Sequence, residues 1–264
     1  MIIDSHCHIY PDKIAEKASE NTGRFYGLDM NYDGKVSTLL RLGAAAGIDR
    51  YIVQSVATSP RQVSSINRFI ADTVSVHSDC MYGLGTLHPE SEDIERDVNE
   101  LVSLGLGGVK LHPDIQSFKL DDYRCLRIYE LCEKKGLPML IHTGDSRFDF
   151  SNPNRLVPIL DIYTGLRIVG AHLGGWSMWE DASLQLSGRK NFYVDCSSSF
   201  YALSDDKLRE IIYRYGTDRV LFGTDYPMWN PETELKRFRS LGFSAEEEER
   251  MLCKNAIEVF SLSV

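Results

Sequence analysis

The sequence predicts an α/β protein, a single-domain (β/α)8 barrel of the TIM type spanning residues 1–264. Three observations lead there. Eight short runs rich in aliphatic and β-branched residues recur along the chain, stretches with helical periodicity alternate with them, and no Pro-, Gly- or Ser-rich linker divides the whole. The competing architecture, an open doubly wound sheet, would usually carry a Gly-rich phosphate loop after its first strand, where this chain carries His6 and His8.

The expected strands are Met1 to Ser5, Arg50 to Val56, Met81 to Leu87, Gly107 to Leu111, Pro138 to His142, Arg167 to His172, Asn191 to Cys196 and Arg219 to Asp225. Residues 9–35 show no strong periodicity, so they read as a long first loop over the barrel mouth, a candidate lid or substrate wall, before a helix starts near Val36. Asp121 to Lys135 is helical in pattern, with Leu126, Tyr129, Leu131 and Cys132 on a broad apolar face. Ser244 to Leu262 closes the chain as a helix: Ser244 is its expected N-cap, Glu247 completes a capping box, and Glu246 to Glu249 form its exposed first turns.

Composition limits the function classes. A chain of 264 residues with 43% hydrophobic and 25% charged residues can bury one large core of barrel size or two smaller ones. The net charge of −9 argues against nucleic acid as the main partner, because phosphate binding needs a cationic face. No apolar run is long enough for a membrane span and no secretory leader pattern opens the chain, so a cytoplasmic protein without a membrane partner is expected. The six scattered cysteines read as reduced core thiols. A homo-oligomer is compatible with all of this.

Chemistry concentrates at strand ends. His6 and His8 are two residues apart on an extended segment, so both imidazoles point the same way and can share one metal ion. The fifth expected strand ends on His142, the sixth on His172 and the eighth on Asp225. Such side chains at the C-terminal ends of barrel strands converge over the axis, where barrel enzymes hold their active sites.

In this order, with the phrases Asp4-Ser5-His6-Cys7-His8, Gly108-Val109-Lys110-Leu111-His112-Pro113, His172-Leu173-Gly174-Gly175 and Gly223-Thr224-Asp225-Tyr226-Pro227, the chain resembles the amidohydrolase superfamily of metal-dependent hydrolases. Within it the chain is similar to the branch of aminocarboxymuconate semialdehyde and related decarboxylases. The resemblance implies that His6, His8, His142 and Asp225 surround one divalent metal. It places His172 beside them, as a catalytic acid/base or as ligand of a second ion. Imidazole and carboxylate donors favour zinc and are compatible with manganese, iron or cobalt. Such an ion lowers the pKa of bound water from 15.7 toward roughly 7. Asp225 is then the expected acceptor of the water proton, and His172 the group that polarises the carbonyl or protonates the leaving group. Related binuclear enzymes carry a carboxylated lysine near strand four. Lys110 is expected one layer deeper than His112, so an unmodified lysine and a single metal are preferred.

Lys110, His112, Trp176 and Trp229 are candidate substrate contacts, weighed against simple loop packing for the tryptophans and a backbone hydrogen bond for His112. His88 has a weaker case, His77 reads as a helix-end residue, and strand alternation turns Cys7 away from the site. Arg147, Arg124 and Lys119 could meet an acidic substrate but read more simply as solvated charges. The preferred function is hydrolysis of a small ester, lactone or amide by metal-activated water. A decarboxylase acting on a small unsaturated or aromatic acid would use the same ligands, and a non-catalytic metal-binding scaffold is the third reading. A metal-dependent nuclease is disfavoured by the acidic charge and by lysine at strand four.

Overall fold

Every strand pairing in the computed structural model, which describes residues 1–263, is parallel. The strands are β1 (Ile3–His8), β2 (Arg50–Gln54), β3 (Met81–Gly83), β4 (Gly85–Thr86), β5 (Val109–Leu111), β6 (Met139–Ile141), β7 (Ile168–Gly170), β8 (Phe192–Asp195) and β9 (Val220–Leu221). β3 and β4 are halves of one expected strand, interrupted at Leu84. The Leu84 amide donates to Val53 O at 2.9 Å and the Gly85 amide to Gly108 O at 2.9 Å, so the strand passes from one neighbour to the other. Sheet order is β1-β2-β3 and β4-β5-β6-β7-β8-β9. The ring closes where the Ser5 amide donates to Phe222 O at 3.0 Å and the His8 amide to Tyr226 O at 2.7 Å. The result is the expected eight-stranded barrel.

Helices lie between the strands: α1 (Ala15–Tyr26), α2 (Val36–Ala46), α3 (Val63–Val76), α4 (Ile94–Ser103), α5 (Pro113–Gln116), α6 (Tyr123–Lys135), α7 (Leu156–Ile162), α8 (Trp179–Leu186), α9 (Asp205–Tyr215), α10 (Pro231–Ser240), α11 (Ala245–Glu249) and α12 (Asn255–Phe260). Among the described residues no helix is long and apolar enough to cross a membrane, and all six cysteines are free.

Strand alternation divides the core in two. Ile52, Leu140, Val169, Tyr193 and Leu221 fill the barrel interior with Ile3 and Leu84. Val53, Val109, Leu111, Met139, Ile141, Ile168 and Val194 point outward and pack with helix residues such as Leu39, Ile70, Leu101, Ile128 and Ile211. The final segment behaves as expected at its start, with Ser244 and Glu247 forming a reciprocal capping box. A π-helical stretch, Arg250–Lys254, then carries the chain into α12. Ala256, Val259 and Phe260 of α12 join the interior cluster and plug one end of the barrel.

Two expectations are corrected. Residues 9–35 are not one long loop, because α1 forms inside them. The face α1 buries consists of Ala15, Ser19 and Gly23, small residues four apart that carry almost no hydrophobic signal, so the periodicity is hidden in the sequence. β1 runs to His8 rather than Ser5, which makes the two histidines part of the strand itself. Its register against β2 jumps from Asp4↔Tyr51 to Cys7↔Val53, a bulge at the edge of the site.

Candidate active site

His6 and His8 leave β1 on the side that faces the barrel axis, while Cys7 between them packs into the outer core. The two Nε2 atoms lie 3.1 Å apart, and Asp225 Oδ1 is 3.3 Å from the first and 3.6 Å from the second. Burial, before all else, holds both imidazoles well below the usual histidine range, so they are neutral near pH 7. Nδ1 of His6 is already committed, donating to Asp195 Oδ2 at 2.9 Å. Its Nε2 therefore carries the lone pair, with His8 Nε2, Asp225 Oδ1 and Lys110 Nζ around it. Neutral imidazole nitrogens and a carboxylate oxygen converging on one point are the donor set a divalent ion requires.

His172 and Asp225, the two expected catalytic residues, both adopt left-handed backbone conformations, with φ of 59° and 57°. Such strain in non-glycine residues persists where surrounding structure over-determines it and clusters at functional sites. Asp225 Oδ2 accepts a hydrogen bond from Ser198 Oγ at 2.6 Å, and Trp229 Nε1 donates to that same hydroxyl at 2.8 Å. Burial raises the Asp225 carboxyl to about 7. His172 lies with Nδ1 3.0 Å from Ser197 Oγ and its Nε2 3.0 Å from His142 Nδ1; burial lowers it to about 4.

His142 stands beside this group rather than in it. Its ring stacks on His112 with centroids 3.9 Å apart, which turns Nε2 toward Asp114 Oδ2 at 3.6 Å and leaves that nitrogen buried without a hydrogen-bond partner. The expected four-ligand set is thus divided: His6, His8 and Asp225 form one donor group, while His142, His112 and Asp114 form a neighbouring one. The unpartnered nitrogen is a buried donor atom of the kind a cation would use, but it faces Asp114 and His112 rather than His6, His8 and Asp225.

Lys110 comes from β5, between outward-facing Val109 and Leu111, one layer below His112 as expected. Its stem lifts Nζ to 3.1 Å from His6 Nε2, fully buried, and burial lowers its pKa to about 8. His112 caps α5: its Nδ1 accepts from the Ile115 amide at 3.3 Å, so Nε2 carries the proton and donates to the Tyr26 hydroxyl at 2.6 Å. Lys110 and His112 both line a cavity of about 520 Å³ together with His6, His8, His142, His172 and Asp225.

The two tryptophans are not among the residues lining that cavity. Trp229 acts from behind Asp225 through Ser198, and Trp176 packs on the Tyr26 ring at 5.1 Å, because the loops carrying them turn their rings onto neighbouring side chains. His88 is buried and bonded to the Glu90 amide, also outside the lining. Arg147 is no free surface charge. It makes paired contacts with Asp145 at 3.0 and 2.7 Å, donates to Phe25 O at 2.8 Å, and so fastens α1 to the loop after β6. At Gly144 in that loop φ is +74°, and a Cβ would stand 2.5 Å from Gly175 backbone, so only glycine fits. Arg124 and Lys119 pair with surface carboxylates.

Asp195, the end of β8, is a site residue that strand-end reasoning passed over. Besides holding His6, its Oδ1 accepts from the His172 amide at 3.2 Å and the Ser197 amide at 3.0 Å. The signal was partly present: Asp195 is the penultimate residue of the seventh expected strand, Asn191 to Cys196, whereas the observed strand ends on it. Tyr26 was hidden because α1 was not expected.

Residues 3–262 match the sequence model of the amidohydrolase family. The chain belongs to this family. Solved structures agree at the level of fold. An uncharacterised TIM-barrel protein from Bordetella bronchiseptica superposes with a TM-score of 0.80 at 20% identity, over 98% of each chain. A 5-carboxyvanillate decarboxylase from Novosphingobium aromaticivorans, complexed with manganese and 4-hydroxy-3-methoxy-5-nitrobenzoic acid, gives 0.77 at 17% identity, over 99% of this chain and 96% of that one. A 2,6-dihydroxybenzoate decarboxylase from Rhizobium gives 0.71 at 19% identity, over 98% of each. In this amidohydrolase-family chain the strand-end donors therefore sit on the family's barrel, at the mouth where such folds carry their chemistry.

Proposed function

We propose that this amidohydrolase-family protein is a metal-dependent decarboxylase of a small aromatic or unsaturated carboxylic acid. The observation that carries the reading is Lys110: a fully buried ammonium, the one lysine or arginine lining the cavity, held against the His6 imidazole. A cation so placed has use for an anionic substrate group, and an ester, lactone or amide would leave it facing a neutral carbonyl. The aromatic-acid decarboxylases among the structurally similar proteins support the same choice. It replaces hydrolysis, the reading the sequence favoured, with its nearest competitor.

His6, His8 and Asp225 would hold one divalent ion, His142 joining them only if its ring turned away from His112 and Asp114, and the manganese in the Novosphingobium enzyme makes that metal as strong a candidate as zinc. Bound there, the ion supplies Lewis-acid polarisation of substrate oxygens. Lys110 pairs with the carboxylate. The carbon–carbon bond to the carboxylate breaks, carbon dioxide leaves, and a proton takes its place on the carbon. Of the titratable groups lining the cavity, His172 and Asp225 are assigned the task of holding and delivering that proton.

Incubating the metal-loaded protein with hydroxybenzoates, unsaturated acids, lactones, esters and amides, and following mass change, tests the proposal. Loss of carbon dioxide from an acid is expected. Gain of water by a lactone, ester or amide would restore the hydrolase reading.

A further inference from the structure

The cavity is longer than the cluster of buried histidines needs. From His6, Lys110 and Asp225 it runs outward into a cleft between α1 and α3. On the α1 side the N-cap Ile14 with Ala18 and Phe25 recur at helical spacing on the face flanking buried Ala15, Ser19 and Gly23; on the α3 side Ile66 and Phe69 line the same cleft. Ile14 is 52% exposed although it lines the cavity, so apolar surface is left for a ligand to cover.

Charge is missing from this limb. Beyond the buried cluster the lining includes no lysine, arginine, aspartate or glutamate; its polar members are neutral, such as Asn21 and Gln62. Arg147, close to α1, is spent on Asp145 and on Phe25 O. A second carboxylate lying in the cleft would lose water against Ile66 and Phe69 with no cation to replace it.

We infer that the substrate is a monocarboxylic acid whose carboxylate meets Lys110 and whose other end is an uncharged apolar arm lodged between α1 and α3. The carboxylate end rests on the decarboxylase reading; the arm does not.

Benzoate, 4-butylbenzoate and terephthalate distinguish the two, with binding to the metal-loaded protein measured by calorimetry and carbon dioxide release measured separately. The butyl compound should bind at least about tenfold more tightly than terephthalate, with benzoate between them. Ile66→Lys, and Ile14→Lys at a more exposed position, should each narrow or reverse that preference. Equal binding of the butyl and carboxyl compounds, no measurable binding of any, or a preference untouched by both lysines would overturn the inference. The expected binding order without carbon dioxide release from any acid would sustain the apolar limb and count against decarboxylation alone.

Discussion

Asp195 Oδ2 accepts a hydrogen bond from His6 Nδ1 at 2.9 Å, and both side chains are completely buried. The carboxylate fixes the tautomer, so the other ring nitrogen keeps its lone pair, among His8, Asp225 and Lys110. A carboxylate behind a ligating histidine also raises its basicity. Asp195→Asn keeps the shape and removes the charge. Metal affinity should fall by about 10- to 100-fold, read by titration against a chelating dye, with the circular dichroism spectrum unchanged. Unaltered affinity would detach Asp195 from the site.

The relay from Trp229 through Ser198 to Asp225 makes a second prediction. Ser198→Ala removes the donor to Asp225 directly, whereas Trp229→Phe removes only the group that orients Ser198. Metal affinity should drop in the first, by about tenfold or more, and less in the second. A Trp229→Phe enzyme with normal metal binding and a raised KM would instead place the indole against substrate.

The residues that could be recognised from sequence are those whose chemistry and strand position coincide. His172 and Asp225 qualify because each ends an expected strand, and His6 and His8 because they follow the first expected strand at a spacing of two. The barrel was legible for the same reason, since short apolar runs such as those around Leu140 and Val169 alternate with helical stretches. What stayed hidden depends on small residues or on rotamers. α1 is buried through Ala15, Ser19 and Gly23, whose packing leaves no pattern, so the substrate wall expected of residues 9–35 reads as a loop and Tyr26 goes unseen. The stacking of His142 on His112 and the inward turn of Trp229 onto Ser198 are side-chain geometries that strand alternation cannot specify.

Glu234 on α10 gives a pH dependence. It is only 6% exposed, and burial first, then the charges of Asp225 and Asp4, raise its carboxyl from 4.5 to about 8, against a small opposing effect of Arg237. Below pH 4.5 the group is protonated in folded and unfolded chains alike and contributes nothing. Between 4.5 and 8 the unfolded chain releases the proton that the folded chain retains, so this group makes stability fall as pH rises, levelling off above about 8. Glu234→Gln should therefore gain stability relative to the parent at pH 8.5, on the order of a few kcal/mol, and gain little at pH 4.5. Urea unfolding at the two pH values reads the difference; an equal effect at both would show that Glu234 does not titrate in this interval.

Metal removal separates a catalytic centre from a structural plug. Interior residues Leu140, Val169, Tyr193 and Leu221, and the α12 plug of Val259 and Phe260, pack independently of His6, His8 and Asp225. The outer core of strands against helices is equally separate. The chelated protein should keep its far-ultraviolet spectrum and its cooperative melting, and lose only the stabilisation that a ligand of the folded state confers. At a free metal concentration of 100 times Kd that is about 2.7 kcal/mol, which corresponds to a Tm change of roughly 5–10 °C for a chain of this size. Unfolding on chelation at 25 °C would mean that the donors hold the barrel together, and would favour a metal-binding scaffold over an enzyme.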